Sequence, residues 1–125
     1  MVNVIKWAQT QGQERLTKIS LETQATPKIP LFKVLNKLEK AYQKNDVEKL
    51  VFWLAYAKFY GFTVAEGHKF FKKIEELWPS SQVKYPELAN KFHFLNEIYA
   101  EDHVERNDSA QMCKYSLLLA EFSRV

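Results

Sequence analysis

The sequence contains little glycine and almost no cysteine, and both shortages restrict what the chain can be. Only three of its 125 residues are glycine: Gly12, Gly61 and Gly67. Strand-rich folds need many turn residues, so scarce glycine favours helices. Cys113 is the only cysteine. An intrachain disulfide is therefore excluded, and a reducing, cytoplasmic location is expected.

Long apolar runs and catalytic motifs are missing as well. No stretch reaches the roughly 18 uninterrupted apolar residues of a membrane-spanning helix. The opening segment MVNVIKWAQ has no apolar core of the kind found in signal peptides. The chain contains no glycine-rich phosphate loop and no metal-ligand motif. We therefore expect no membrane contact, no metal or other cofactor, no small-molecule substrate and no enzymatic activity.

The residues that are present predict a helical core. Apolar residues make up 46% of the chain and aromatic residues 14%, which suits a soluble domain of this size. The length predicts a single domain over residues 1–125. Because a 3.6-residue apolar period recurs along it, we predict an all-α fold: a single compact bundle of five to six helices. The expected helices cover about 2–23, 30–44, 45–60, 63–78, a segment starting at 86, and 109–122.

One segment is apolar nearly all round, namely Asn45–Phe62 with the sequence NDVEKLVFWLAYAKFYGF. A helix of this kind must be buried on several sides, so we expect the others to pack around it. Gly12, by contrast, falls inside the first predicted helix. Because glycine costs about 1 kcal/mol relative to alanine in a helix, we expect a kink or a break there.

Helix ends are signalled at three places. Asn45 and Glu48 have the spacing of a capping box, in which two side chains satisfy free backbone N–H groups reciprocally. Thr63 and Glu66 repeat that spacing at the start of the fourth helix. Gly61, between these points, is placed to end the third helix in a left-handed conformation.

Charge is unevenly distributed along the chain. Residues 1–73 contain 13 lysines and arginines against 6 acidic residues, whereas residues 74–125 contain 5 against 9. This asymmetry predicts either an anionic partner on one face or head-to-tail association with copies of the same chain. A chance distribution of solvated helix faces is the third interpretation, and the sequence leaves it open.

The basic residues of the second and fourth helices are the candidate nucleic-acid-binding residues. Four lysines of the second helix have spacings of 4, 3 and 4 and form a row about 16 Å long opposite the apolar stripe. Such a row can follow a phosphate backbone, with weak, sequence-independent affinity and a salt slope of about −3 to −4. Lysines on the exposed side of the fourth helix extend the set. The candidates are Lys33, Lys37, Lys40, Lys44, Lys69, Lys72 and Lys73.

Other reactive residues are better explained without catalysis. His93 and Glu97 share a helix face, but a metal site needs three or four convergent ligands, so we interpret them as an exposed polar pair. Cys113 is expected to be a buried small hydrophobe. Most aromatic residues are expected in the core, although each ring is also a candidate for base stacking. Those at helix ends are predicted to be partly exposed: Tyr42, Tyr60, Trp78 and Tyr85.

From Ile29 to Asp102 the chain resembles the small-subunit family of CRISPR effector complexes. The order of four segments carries the resemblance: IPLFKVLNKLEKAY, EKLVFWLAYAKFYG, FFKKIEELW and FHFLNEIYAED. The resemblance implies a short all-α bundle without catalysis of its own, whose partners are nucleic acid and other protein subunits. It implies no role for any individual residue, since the family contributes no marker residue here.

Two function classes follow. The first is a non-catalytic helical subunit of a nucleoprotein complex, which binds RNA or DNA backbone through its basic face. The second is a protein–protein interaction module, such as an inhibitor, immunity or adaptor protein, which presents aromatic and acidic surfaces to one partner. The lysine row favours the first.

Overall fold

The computed structural model describes residues 3–101 and 106–122 and confirms the all-α prediction. Over these ranges the chain forms six α-helices and one turn of 3₁₀ helix at Ser80–Gln82, with no strand. The last helix is already present at Arg106, three residues before its predicted start. The helices are α1 (Val4–Ala25), α2 (Leu31–Gln43), α3 (Val47–Phe59), α4 (Val64–Leu77), α5 (Pro86–Ala100) and α6 (Arg106–Phe122).

The most completely enclosed helix is α6, which packs against α1, α3 and α5. α3 packs against α1, α2 and α6, so it is buried on several sides as predicted, but its Phe52 and Trp53 are only half-buried. α6 was not predicted to be the central helix because polar residues interrupt its apolar positions, and one of these polar residues is buried. Ser116 is fully buried and donates its hydroxyl to the carbonyl of Cys113 at 2.8 Å.

α1 is one continuous helix, so the predicted break at Gly12 is wrong. The glycine lies where α1 meets α6. A Cβ atom at Gly12 would lie 2.6 Å from Cβ of Lys114 and 2.9 Å from its Cα. Gly12 is therefore explained by the close approach of two helix backbones.

The turn between α2 and α3 is closed by Asn45 and Asp46. The Asp46 N–H donates to the Ala41 carbonyl at 2.9 Å and the Asn45 N–H donates to the Tyr42 carbonyl at 3.1 Å, which is the Schellman pattern. Asn45 takes the left-handed conformation, with φ of 54°. Asp46, rather than the predicted Asn45, caps α3, since its carboxylate accepts from the Lys49 N–H at 3.2 Å.

The other two predicted helix ends are confirmed. Gly61 follows α3 with φ of 72°, the left-handed conformation that glycine adopts without strain. Thr63 and Glu66 form a complete capping box at the start of α4, with both reciprocal contacts at 3.2 Å. α3 and α4 are thus joined by only four residues, and the direction of α4 is set by local hydrogen bonds.

α2 and α4 pack against one another on one side of the bundle. α2 also packs on α3, and α4 also packs on α5. An aromatic chain runs through this region, from Phe70 to Phe71 at 5.6 Å between ring centroids and on to Tyr99 of α5 at 5.8 Å. All seven candidate lysines lie on these two helices or at the C-terminal end of α2; six are exposed and Lys73 is half-buried.

Candidate nucleic-acid interface

The candidate lysines of α2 lie on the exposed side of that helix. Its opposite side is an apolar stripe whose buried members are Val34, Leu38 and Ala41. Spacings of 4, 3 and 4 residues, at 1.5 Å rise per residue, give a row about 16 Å long. All four members are exposed: Lys33, Lys37, Lys40 and Lys44.

Glu39, the only acidic residue of α2, is directed at α4. Its carboxylate lies 3.3 Å from Nζ of Lys73. This ion pair links α2 to α4, and it engages Lys73, which the sequence had grouped with the free cations. In the described ranges no ion pair involves the four lysines of the α2 row. Among the described residues, none of the four therefore has a carboxylate within ion-pair distance.

The remaining two candidates lie on α4 in different surroundings. Lys69 and Lys72 are both exposed. Lys72 also lines a groove of about 190 Å³ between α4 and α5, together with Glu75 and Glu97. Carboxylates beside Lys72 weaken its attraction for a phosphate. The α2 row is thus the most coherent part of the predicted basic face.

Trp53 of α3 lies next to the α2 row. Nζ of Lys37 is 5.4 Å from the centroid of the Trp53 ring, within the range of a cation–π contact. Phe52 meets Trp53 edge-on with 4.9 Å between centroids. Both aromatic side chains are half-buried, and only Trp53 borders the lysine row.

Of the four aromatic residues predicted to be partly exposed, two are half-buried and two are buried. Tyr42 and Tyr85 are half-buried, as expected. Tyr60 and Trp78 are buried, and that prediction is wrong. Tyr60 packs on the ring of Phe62 with 4.2 Å between centroids. Trp78 meets Tyr42 edge-on at 5.3 Å. Both helix-end rings are covered because aromatic side chains from neighbouring segments pack over them.

His93 forms a second polar site, between α4 and α5. Nε2 lies 3.1 Å from Oε1 of Glu97, which confirms the predicted pair on one helix. Nδ1 lies 2.9 Å from Oε2 of Glu75 on α4. The hydrogen bond to Glu75 is the main cause that raises the pKa of His93 above its ordinary value, while burial acts in the opposite direction.

The geometry around His93 does not favour a metal. Both ring nitrogens already contact a carboxylate, Nδ1 that of Glu75 and Nε2 that of Glu97, so neither is free to bind an ion. Within residues 3–101 and 106–122, no group of three or more histidine, cysteine or acidic side chains is arranged to hold a metal. Asn96, which is buried, donates its amide to the same Glu75. Glu75 therefore receives donors from two side chains of α5.

Cys113 is fully buried in α6, and burial raises the pKa of its thiol to about 12. The thiolate is the nucleophilic form of cysteine, and at neutral pH this side chain remains a thiol. A groove of about 470 Å³ lies elsewhere, between α1 and α3. An ion pair between Arg15 and Glu121 lies at its edge. Neither feature presents an activated nucleophile.

Comparison with protein-family models, with characterised proteins and with solved structures finds no match for this chain. The resemblance to the small-subunit family therefore stays a prediction. In the part of the chain that the structure describes, no helix is long and apolar enough to cross a bilayer.

Two site residues were not found from the sequence, Glu39 as the partner of Lys73 and Glu75 as the partner of His93. In both cases the partners lie on different helices. Spacing within one helix shows which side chains share its face, but not which face of another helix meets it. No signal in a single sequence identifies these pairs.

Proposed function

We propose that this chain is a non-catalytic helical subunit of a nucleoprotein complex, of the kind that the CRISPR small-subunit resemblance implies. It binds the phosphate backbone of RNA or DNA, independently of sequence, through Lys33, Lys37, Lys40 and Lys44. A reducing cytoplasm suits such a role. The other protein subunits of the complex, or further copies of this chain, are its protein partners.

The observation that carries this proposal is the lysine row on α2, which has no ion-pair partner among the described residues. Its four ammonium groups lie along about 16 Å of one helix, and the only carboxylate of that helix pairs with Lys73 instead. Each phosphate that a lysine neutralises releases condensed counterions, which drives binding. Lysine rather than arginine suits backbone contact, because base readout in the major groove commonly uses the bidentate arginine fork.

The test is a fluorescence-anisotropy titration of labelled oligonucleotides of mixed sequence. Four contacts predict an affinity that falls by about 10²-fold between 50 and 200 mM salt. The variant reverses Lys33, Lys37, Lys40 and Lys44 to glutamate, and loss of binding with unchanged circular dichroism is expected. Because these side chains are exposed, the variant should fold.

A matched control separates position from net charge. It reverses four other exposed lysines to glutamate, so the total charge changes equally: Lys6, Lys28, Lys58 and Lys84. The control variant should retain most of the affinity, because its lysines lie outside the row. Equal loss in both variants would mean that only net charge matters, and retained binding by the row variant would refute the proposal.

A second function is favoured by the exposed face of α5. Phe94 is 53% exposed, and exposed acidic residues lie one turn from it at Glu97 and two turns from it at Glu87. Nζ of Lys91 also lies 5.4 Å from the centroid of the Phe94 ring, so this face presents an aromatic side chain with charges of both signs, which suits a protein partner of mixed charge. A partner that survives nuclease treatment, and that Phe94→Ser releases, would favour an interaction module instead.

A further inference from the structure

One imidazole joins α4 to α5. Nδ1 of His93 lies 2.9 Å from the Glu75 carboxylate of α4, and Nε2 lies 3.1 Å from the Glu97 carboxylate of α5. Both distances are within hydrogen-bond range. Each ring nitrogen therefore has its own acidic partner.

The protonation state decides whether both contacts are attractive. A protonated imidazolium carries N–H groups on both nitrogens and donates twice. The neutral ring has one N–H and one lone pair. If the ring is neutral, one of the two carboxylates faces a lone pair, and that contact becomes repulsive. The observed arrangement is fully satisfied only when His93 is protonated.

The surroundings favour the proton. α4 contributes three charged or titratable groups to the groove around His93: Glu75, Lys72 and His68. Besides His93 itself, α5 contributes Glu97. Two carboxylates contact the ring directly, whereas Lys72 makes no ion pair with them. A neighbouring groove that His93 also lines is bordered by Trp78, Pro79 and Ser80, which have no ionisable side chain in this pH range.

We propose that Glu75, His93 and Glu97 form a proton-operated clasp: protonated His93 donates to Glu75 across the α4–α5 contact and to Glu97 within α5, whereas the neutral ring can donate to only one of the two. α4 is also joined to α2 by the Lys73–Glu39 pair. The clasp requires no nucleic acid, and it is independent of the proposed function.

The direction of the pH effect follows from the raised pKa of His93 in the folded chain. A histidine whose pKa is higher in the folded than in the unfolded chain stabilises the fold fully below its unfolded value of about 6.5. That stabilisation is lost as pH rises through the folded pKa. The clasp is therefore closed in mild acid and weakens above it. Because the His93 side chain is 57% exposed, solvent screening keeps the effect modest.

The first experiment follows the ring resonances of His93 by NMR as pH is raised, with Glu75→Gln, Glu97→Gln and, as control, Glu87→Gln. Glu87 is exposed on α5 outside the clasp. The wild-type midpoint should lie above about 6.5. Glu75→Gln should lower it most, Glu97→Gln less, and Glu87→Gln hardly at all. A wild-type midpoint at or below that of a free histidine would overturn the clasp.

The second experiment compares thermal unfolding of the wild type and His93→Gln from pH 5.5 to 8.5. The wild type should be more stable at low pH, and its advantage should shrink by about 2–4 °C in Tm as His93 deprotonates. A constant difference across that range would assign His93 a packing role only. Since this pair of proteins needs no change at Glu75, the result decides the matter even if Glu75→Gln does not fold.

Discussion

The α1–α6 contact and the α4–α5 contact both use a glycine for close approach, but they differ in what the glycine meets. Gly12 lies against Lys114 of α6, and a Cβ atom on the glycine would be 2.9 Å from both the Cα and the carbonyl oxygen of that residue. Gly67 lies under a side chain, since a Cβ there would be 2.1 Å from the hydroxyl oxygen of Tyr99. A side chain at Gly12 would meet the main chain of α6, whereas a side chain at Gly67 would meet the end of an aromatic ring.

This difference separates a fixed contact from an adjustable one. The spacing of α1 and α6 is set by two helix backbones, which move only as whole elements. The spacing of α4 and α5 is set by side-chain ends, namely Tyr99 and the His93 clasp. We therefore expect α1–α6 to respond to substitution with large losses of stability, and α4–α5 to respond with smaller losses that a second substitution can reverse.

Gly12→Ala should have the largest effect. The added methyl group forces α1 away from α6, and overpacking of this kind lowers the free energy of unfolding by about 1–3 kcal/mol, more than alanine gains in helix propensity. Urea unfolding measures the loss. Gln13→Ala, one residue away on the exposed side, is the control and should change stability by no more than about 0.5 kcal/mol. Equal stabilities of the two variants would show that α1 and α6 separate freely.

Gly67→Ala should lower the free energy of unfolding by less than Gly12→Ala, and the size of its effect should depend on Tyr99. The atom nearest to a Cβ added at Gly67 is the Tyr99 hydroxyl oxygen, and the ring carbon that bears the hydroxyl lies 2.9 Å from that Cβ. Tyr99→Phe removes only the hydroxyl, so it should relieve part of the clash. A double-mutant cycle should give a favourable interaction energy of about 0.5–1 kcal/mol between the two substitutions. Simple additivity would mean that the ring tilts aside without cost.

Arg15→Gln should have the smallest effect, although it breaks an ion pair between α1 and α6. The Arg15 and Glu121 side chains are 33% and 23% exposed, and pairs of this kind contribute about 1 kcal/mol or less. Glu121→Gln and the double variant complete the cycle. A coupling above that value would show that charge, and not backbone packing, holds α1 against α6.

Sequence reasoning succeeded where the cause is local. Thr63 and Glu66 form a capping box because both partners lie within one turn of one helix. Gly61 ends α3 because the left-handed conformation favours glycine. At Asn45 the same reasoning placed the cap one residue too early. Asparagine and aspartate both suit an N-cap, and only the Schellman closure of α2 assigns the left-handed position to Asn45 and the cap to Asp46.

Sequence reasoning failed where the cause lies on another element. The buried position of Ser116 in α6 depends on three neighbouring helices, and Gly12 is explained only by Lys114. The candidate site shows the same division. The lysine row of α2 follows from spacing within one helix, whereas Glu39 and Glu75 find partners on helices whose relative rotation no single-helix pattern encodes.

The α2–α3 turn bears on domain swapping, in which two copies of a chain exchange identical segments. Domain swapping requires the connection between two helices to straighten, so that one helix can dock on a second molecule. Straightening this turn would break the Ala41 and Tyr42 closures of α2 and the Asp46 cap of α3 together. Only three residues, 44–46, connect the two helices. While these hydrogen bonds hold, Lys37 lies beside Trp53 of the same molecule.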